Sequence, residues 1–176
     1  MSKVVRRDGI VRWIMSDYTH ALDLAPNRHD ISFHRLTCMF RRFCLETDRY
    51  MLGTKHVHLR NSHDRLHMIA MPEKLDTNPH LHGFADFSEL KWGDRLKLPW
   101  EHKLERIWYE VTEGSGTLRI AAQPDCGAAL YATKEAFRAD HEYLLSWDFH
   151  PADKLGKRAS PICLQRTPAR RKPRTH

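Results

Sequence analysis

The run Asn78-Pro-His-Leu-His-Gly-Phe-Ala-Asp-Phe87 has the two-residue period of a β-strand, and that period fixes what each side chain can do. His80 and His82 fall on one face, and Leu81, Gly83, Ala85 and Phe87 fall on the other. One face is left for polar chemistry while the other packs a core. Two imidazoles two residues apart on a rigid strand supply half of a coordination shell for a divalent transition metal. The preceding run, Leu66-His-Met-Ile-Ala-Met-Pro-Glu73, is joined to it by a short turn rich in Asp, Thr, Asn and Pro, which predicts an antiparallel hairpin. Such a hairpin sets Glu73 beside His80 and His82. A His-x-His pair is also common on ordinary solvated strand faces, and His56-Val57-His58 repeats the spacing within a basic loop of Lys55, Arg60, Asn61 and His63. If Glu73 lies on the face away from the histidines, His67 or His20 becomes the replacement ligand.

The rest of the chain supplies a scaffold. Thr19 to Leu24 predicts a first strand, separated by Asp17 from the apolar stretch Ile10 to Ile14 and closed by Ala25-Pro26-Asn27. From an N-cap at Asp30, Phe33, Leu36, Phe40, Phe43 and Cys44 recur at three- and four-residue steps until Gly53, which predicts a long amphipathic helix. Pro99 to Val111 predicts a second helix with Trp100, Leu104, Ile107, Trp108 and Val111 in one stripe, ended by Gly114 and Gly116. Thr117 to Ala122 is expected as a strand with Leu118, Ile120 and Ala122 inward and Arg119 on the opposite face. Gly127 to Arg138 is expected as an alanine-rich helix. This order predicts an α+β domain: an antiparallel sheet with helices packed on one face and the other face open.

A chain of 176 residues with 41% hydrophobic content suffices for one domain with a core, assigned to residues 1–153. The formal charge of +7 is unevenly spread: Lys154 to His176 holds eight Lys or Arg and no acid, leaving 21 basic against 22 acidic residues before it. That tail, with Pro161, Pro168, Pro173 and the run Arg170-Arg171-Lys172, is expected to be disordered, as a phosphate-attracting arm or as a solubilising terminus. Cys38, Cys44, Cys126 and Cys163 show no Cys-x-x-Cys spacing and are expected as reduced thiols. No run of about 18 apolar residues exists and Met1 to Arg7 lacks the pattern of a signal peptide, so a cytoplasmic protein is expected.

A second motif, Tyr131-Ala-Thr-Lys134, sits in the last expected helix, where residues three apart share a face and the phenol and ammonium become neighbours. Taken alone, the pair also suits a tyrosine that anchors the helix beside a solvated lysine. An acid, then His-hydrophobic-His on a strand, then helix, strand and Tyr-x-x-Lys on a helix resembles the motif order of the HUH endonucleases, the superfamily of rolling-circle replication initiators, relaxases and single-stranded-DNA transposases. The resemblance spans about Thr19 to Phe137 and is most specific in Pro79-His80-Leu81-His82-Gly83 and Leu130-Tyr131-Ala132-Thr133-Lys134. It implies a ferredoxin-like or RNA-recognition-motif-like sheet, a divalent metal held by His80, His82 and Glu73, Tyr131 as nucleophile and Lys134 assisting at the phosphate. It further implies single-stranded DNA or an origin-like DNA hairpin as partner, with Arg119, Arg170, Arg171 and Lys172 as candidate DNA contacts. The family's first motif, an apolar and Thr-rich strand, is only faintly matched by Tyr18-Thr-His-Ala-Leu-Asp-Leu24, and no helicase domain follows in the sequence.

The residue types suit the implied chemistry. A tyrosine with pKa near 10 is about a thousandfold short of full ionisation at neutral pH, and a phosphodiester repels an anionic attacker. A divalent metal can polarise the phosphate as a Lewis acid, and a carboxylate ligand favours a hard ion such as Mg²⁺ or Mn²⁺. The expected product is a 5′-phosphotyrosine, which a free 3′-hydroxyl can later reverse. Two other functions fit parts of the pattern: a non-catalytic nucleic-acid-binding regulator on the same fold, and an unrelated metal-dependent phosphoesterase in which Tyr131 is structural.

Overall fold

The computed structural model describes residues 3–54, 57, 65–87, 99–122, 124–136 and 143–150. The elements run α1 (Lys3–Asp17), β1 (His20–Ala25), α2 (Phe33–Leu52), β2 (His67–Glu73), β3 (His80–Asp86), α3 (Trp100–Val111), β4 (Thr117–Ala122), α4 (Cys126–Ala136) and the short β5 (Leu144–Leu145), which leads into a 3-10 turn at Ser146–Phe149. The fold is α+β. Its five strands form one sheet in the order β4-β1-β3-β2-β5, with every neighbouring pair antiparallel.

Alternation along β3 divides the molecule as its sequence requires. Leu81, Ala85 and Phe87 join Leu22, Leu24, Met68, Ala70 and Leu118 on the face that buries Leu36, Phe40 and Phe43 of α2 and Leu104, Ile107 and Trp108 of α3. Side chains such as Phe40, Phe43 and Trp108 are fully buried, and each contributes about 1.5–3 kcal/mol or more by leaving water. Gly83 sits on this face because a Cβ there would stand 2.2 Å from the Met68 Cε and 3.2 Å from Leu24 Cδ1. Pro72, which has no N–H to give, falls where β2 has no outer partner among the described residues, since β5 pairs only with Ile69 and Ala70.

The second face departs from the expectation of an open surface. Ile10, Val11, Ile14 and Tyr18 of α1 and Ala129 and Ala132 of α4 cover Ile69, Met71 and Phe84. The cover is partial, because Thr117, Arg119 and Ala121 of β4 stay exposed and Ala21 and Asp23 of β1 stay half-buried on that face. Helix α1 was not expected at all: its turns include Gly9, and Ile10 to Ile14 alone show no full amphipathic stripe. Helix α2 begins two residues later than expected, because the Ser32 side chain, not Asp30, accepts the cap bond from the Arg35 N–H. Of the cysteines, Cys44 and Cys126 are free as expected, whereas Cys38 is disulfide-bonded, which corrects the expectation of a reduced thiol there. No helix among the described residues is long and apolar enough to cross a membrane. The tail of residues 154–176 lies outside the described residues, and so do His56 and His58.

Candidate active site

Strand register assembles the site. Glu73 of β2 stands opposite His80, while His82 stands between Met71 of β2 and Asp23 of β1. Arg119 of β4 stands opposite Asp23. Cross-strand partners share a face, so Arg119, Asp23 and His82 form one row, with Glu73 and His80 in the next.

The two imidazoles converge on one oxygen. Glu73 Oε2 lies 3.2 Å from His80 Nε2 and 2.5 Å from His82 Nε2, with the two rings 4.9 Å apart at 83°. Their other nitrogens face outward to acceptors: His80 Nδ1 lies 2.8 Å from the Asn78 carbonyl and His82 Nδ1 lies 3.8 Å from Asp23 Oδ1. Histidines that bind metals commonly turn the second ring nitrogen to a carbonyl or carboxylate in this way. Asp23, His80 and His82 each offer a ligand atom within 4.8 Å of the others. Glu73 belongs with them on distance, being nearer to both imidazoles than Asp23 is to His82.

The donor set fits a divalent cation. Asn78 O and Glu73 Oε2 both only accept, so the His80 ring between them is satisfied by two protons, or by one proton and a cation at Nε2. Asp23 is half-buried, but its Oδ1 atom is shielded from water and makes no hydrogen bond, the 3.8 Å to His82 Nδ1 being too long for one, so that oxygen is open to a further cationic contact. Glu73 is only 3% exposed. Burial pushes its carboxyl up, but the hydrogen bond from His82, the charges of His82 and His80, and the Tyr131 hydroxyl outweigh that and hold it below the usual carboxylate range.

Helix α4 brings Tyr131 to the same carboxylate. Its first turn is capped by Asp125, whose Oδ1 accepts from the Ala128 N–H at 2.6 Å, and Ala129 and Ala132 let it lie close over the sheet. Tyr131 then donates its hydroxyl to Glu73 Oε1 at 3.2 Å and sets its ring edge-on to His82 at 5.4 Å. Lys134 Nζ lies 4.8 Å from the Tyr131 ring centroid, a cation-π contact one turn along the helix. Arg7 of α1 clasps α4 from behind, donating to the Leu130 carbonyl at 2.5 Å and to Thr133 Oγ1 at 3.3 Å.

Glu73, His80, His82, Tyr131 and Lys134 are thus brought together, and Arg119 is exposed on the same face. His67 and His20 are not needed as substitutes. His67 lies at the far end of the sheet against Trp147, and His20 packs on the opposite face against Phe87 and Trp100. Arg170, Arg171 and Lys172 lie outside the described residues. Sequence reasoning missed Asp23, whose only signal is its alternation with the buried Leu22 and Leu24, and missed Arg7 because α1 was not anticipated. No protein-family model matches the chain, and no match is found among curated proteins or solved structures.

Proposed function

We propose that the chain is a metal-dependent, HUH-type enzyme that nicks and rejoins single-stranded DNA, with Tyr131 as nucleophile. The observation that carries this reading is the convergence on Glu73: one carboxylate 58 residues before Tyr131 touches both His-x-His imidazoles through Oε2 and the phenol through Oε1. A tyrosine serving only to anchor its helix would bury its ring, whereas Tyr131 is 48% exposed.

Each residue then has a chemical task. Glu73 Oε1 accepts the phenol's hydrogen bond, which orients it and gives its proton an acceptor. As the Tyr131 Oη–phosphorus bond forms, the phosphorus–O3′ bond breaks, and a proton reaches the departing 3′ oxygen. The strand remains joined to Tyr131 as a 5′-phosphotyrosine until a 3′-hydroxyl reverses the exchange. Lys134 puts positive charge beside the ring, which favours the phenolate and attracts the phosphate. Asp23 places a carboxylate 3.8 Å from the outer nitrogen of His82, near enough for charge attraction without a hydrogen bond. A hard divalent ion such as Mg²⁺ or Mn²⁺, held by His80, His82 and Glu73, supplies Lewis-acid polarisation of the phosphate when bound.

The test is to incubate the protein with labelled single-stranded oligonucleotides and Mn²⁺ and look for an adduct that survives denaturation. Wild type forms it, Tyr131→Phe binds DNA without forming it, and Lys134→Ala forms it at least about tenfold more slowly. Oligonucleotide binding with no adduct from wild type would favour a non-catalytic nucleic-acid-binding protein on this fold instead.

A further inference from the structure

At the other end of the face that carries His82, the sheet, α1 and the 3-10 turn border a half-open cavity that the nicking chemistry leaves unused. The cavity, of about 220 Å³, is lined by Trp13, Asp17, Tyr18, His67, Asp86 and Trp147. His67 and Asp86 are directly opposite across β2 and β3. Asp86 lies four residues beyond His82 on the same face of β3, about 13 Å at the rise of a strand. Four aromatic rings crowd the cavity. Trp13 meets Trp147 at 6.0 Å and 64° and Tyr18 at 5.7 Å and 61°, and His67 lies tilted by 35° over Trp147 at 5.6 Å. Aromatic rings and two carboxylates lining one cavity match a flat ligand whose edge donates hydrogen bonds.

The ground between the two sites favours one such ligand. Phe84, midway on β3, is buried under α1 and α4, so the connecting path runs along β1 and β4. There, Ala21 and Ala121 face each other as small, partly open side chains, with Asp23 and the exposed Arg119 at the end nearest His82. A strand cut at Tyr131 and laid along this part of the sheet arrives at the cavity within a few nucleotides, given a duplex rise of about 3.4 Å per nucleotide.

We propose that this cavity is a base-recognition pocket for the single strand, selecting a base with an exocyclic amino group. The proposal rests on the single-strand reading of the Tyr131 site. Stacking on indole is tolerant of sequence, whereas Asp17 and Asp86 accept from an exocyclic amino group, N4 of cytosine, N6 of adenine or N2 of guanine; thymine offers them only its N3–H, flanked by O2 and O4 carbonyls that the carboxylates repel. Burial and the flanking Asp17 and Asp86 carboxylates push the Tyr18 phenol well above its ordinary value, so its hydroxyl stays protonated beside them. The acids also bar a phosphate from the cavity, which leaves that role to Arg119 and the region around Lys134.

The experiment measures binding of fluorescent oligo(dC), oligo(dA) and oligo(dT) by anisotropy, without metal, alongside quenching of tryptophan fluorescence. Wild type and Tyr131→Phe should bind oligo(dC) or oligo(dA) about tenfold more tightly than oligo(dT), with quenching. Asp86→Asn and, independently, the exposed-site variant Asp17→Asn should narrow that preference to about threefold or less, while Trp147→Ala should weaken all three by about tenfold. Equal binding of the three oligonucleotides by wild type, with adduct formation at Tyr131 intact, overturns the pocket and leaves the nicking reading standing. A base preference lost in Asp86→Asn supports the pocket even if no adduct ever forms. Quenching by tetramethylammonium or guanidinium but not by oligonucleotides would overturn it in favour of a cation site.

Discussion

Replacing Glu73 by glutamine removes one charge from the centre of the site with almost no change of shape, and its cost can be worked from the hydrogen bonds it makes. Hydrogen bonds to charged groups contribute about 1.5–3 kcal/mol and neutral ones about 0.5–1.5, so each converted bond is weaker by on the order of 1 kcal/mol. Two imidazole bonds are affected, at 2.5 and 3.2 Å, which gives a cost of about 2 kcal/mol in the metal-free protein. Relief of the burial cost of the carboxylate trims this figure without reversing it, because the net effect on the wild-type carboxyl is to lower it from 4.5. The sign of the pH dependence follows. A carboxyl lowered by folding contributes stability above its unfolded value, and that contribution is lost as the pH falls through the lower folded value. Urea unfolding in EDTA should therefore show Glu73→Gln less stable by about 2 kcal/mol near pH 6, with the gap closing on acidification as the pH falls through the lowered folded value. Adding Mn²⁺ should raise the midpoint of wild type and leave that of Glu73→Gln nearly unmoved. A gap that is absent near neutrality, or unchanged on acidification, would refute the account of Glu73 as an ionised hub.

Asp48→Ala should cost about 3–5 kcal/mol by urea unfolding, because it breaks an ion pair with Arg65 whose Nε lies 2.7 Å from Asp48, both side chains being almost fully buried, and also removes the acceptor of the Leu66 N–H. Arg7→Ala should cost about 1–2 kcal/mol and slow adduct formation while leaving oligonucleotide affinity unchanged, since it loosens α4 without touching the strand. Deleting residues 154–176 should flatten the salt dependence of single-strand binding by about 0.7 in slope for each phosphate that the tail neutralises, with cleavage of bound substrate retained. An unchanged slope would assign that segment to solubility.

What the sequence made legible was whatever local periodicity dictates. His80 and His82 share a face because strands alternate, Glu73 meets His80 because a short turn fixes the hairpin register, and the stripes of α2 and α3 declare their buried sides. What it concealed depends on long-range pairing. Asp23 becomes a neighbour of His82 only once β1 inserts between β3 and β4, and no local pattern states that order. The two-residue β5 and the cavity around Trp147 escaped for the same reason, since Leu144 and Leu145 gain their meaning from Ala70 and Ile69. Helix α1 hid behind a weak pattern interrupted by Gly9, yet it covers Phe84 and holds α4. The α4 motif was visible as a Tyr-x-x-Lys spacing, but its aim at Glu73 is a property of the packed helix.

The most direct measurement is to map the covalent linkage. After reaction with a single-stranded oligonucleotide and Mn²⁺, the adduct is digested with nuclease and trypsin and analysed by mass spectrometry. The tryptic peptide Ile120 to Lys134 contains one tyrosine, Tyr131, so a nucleotide 5′-phosphate on that peptide assigns the nucleophile without ambiguity. The modification is expected there and nowhere else. A modified peptide bearing Tyr18, Tyr50, Tyr109 or Tyr143 would contradict the assignment of Tyr131, and no modified peptide with any oligonucleotide would contradict strand transfer itself.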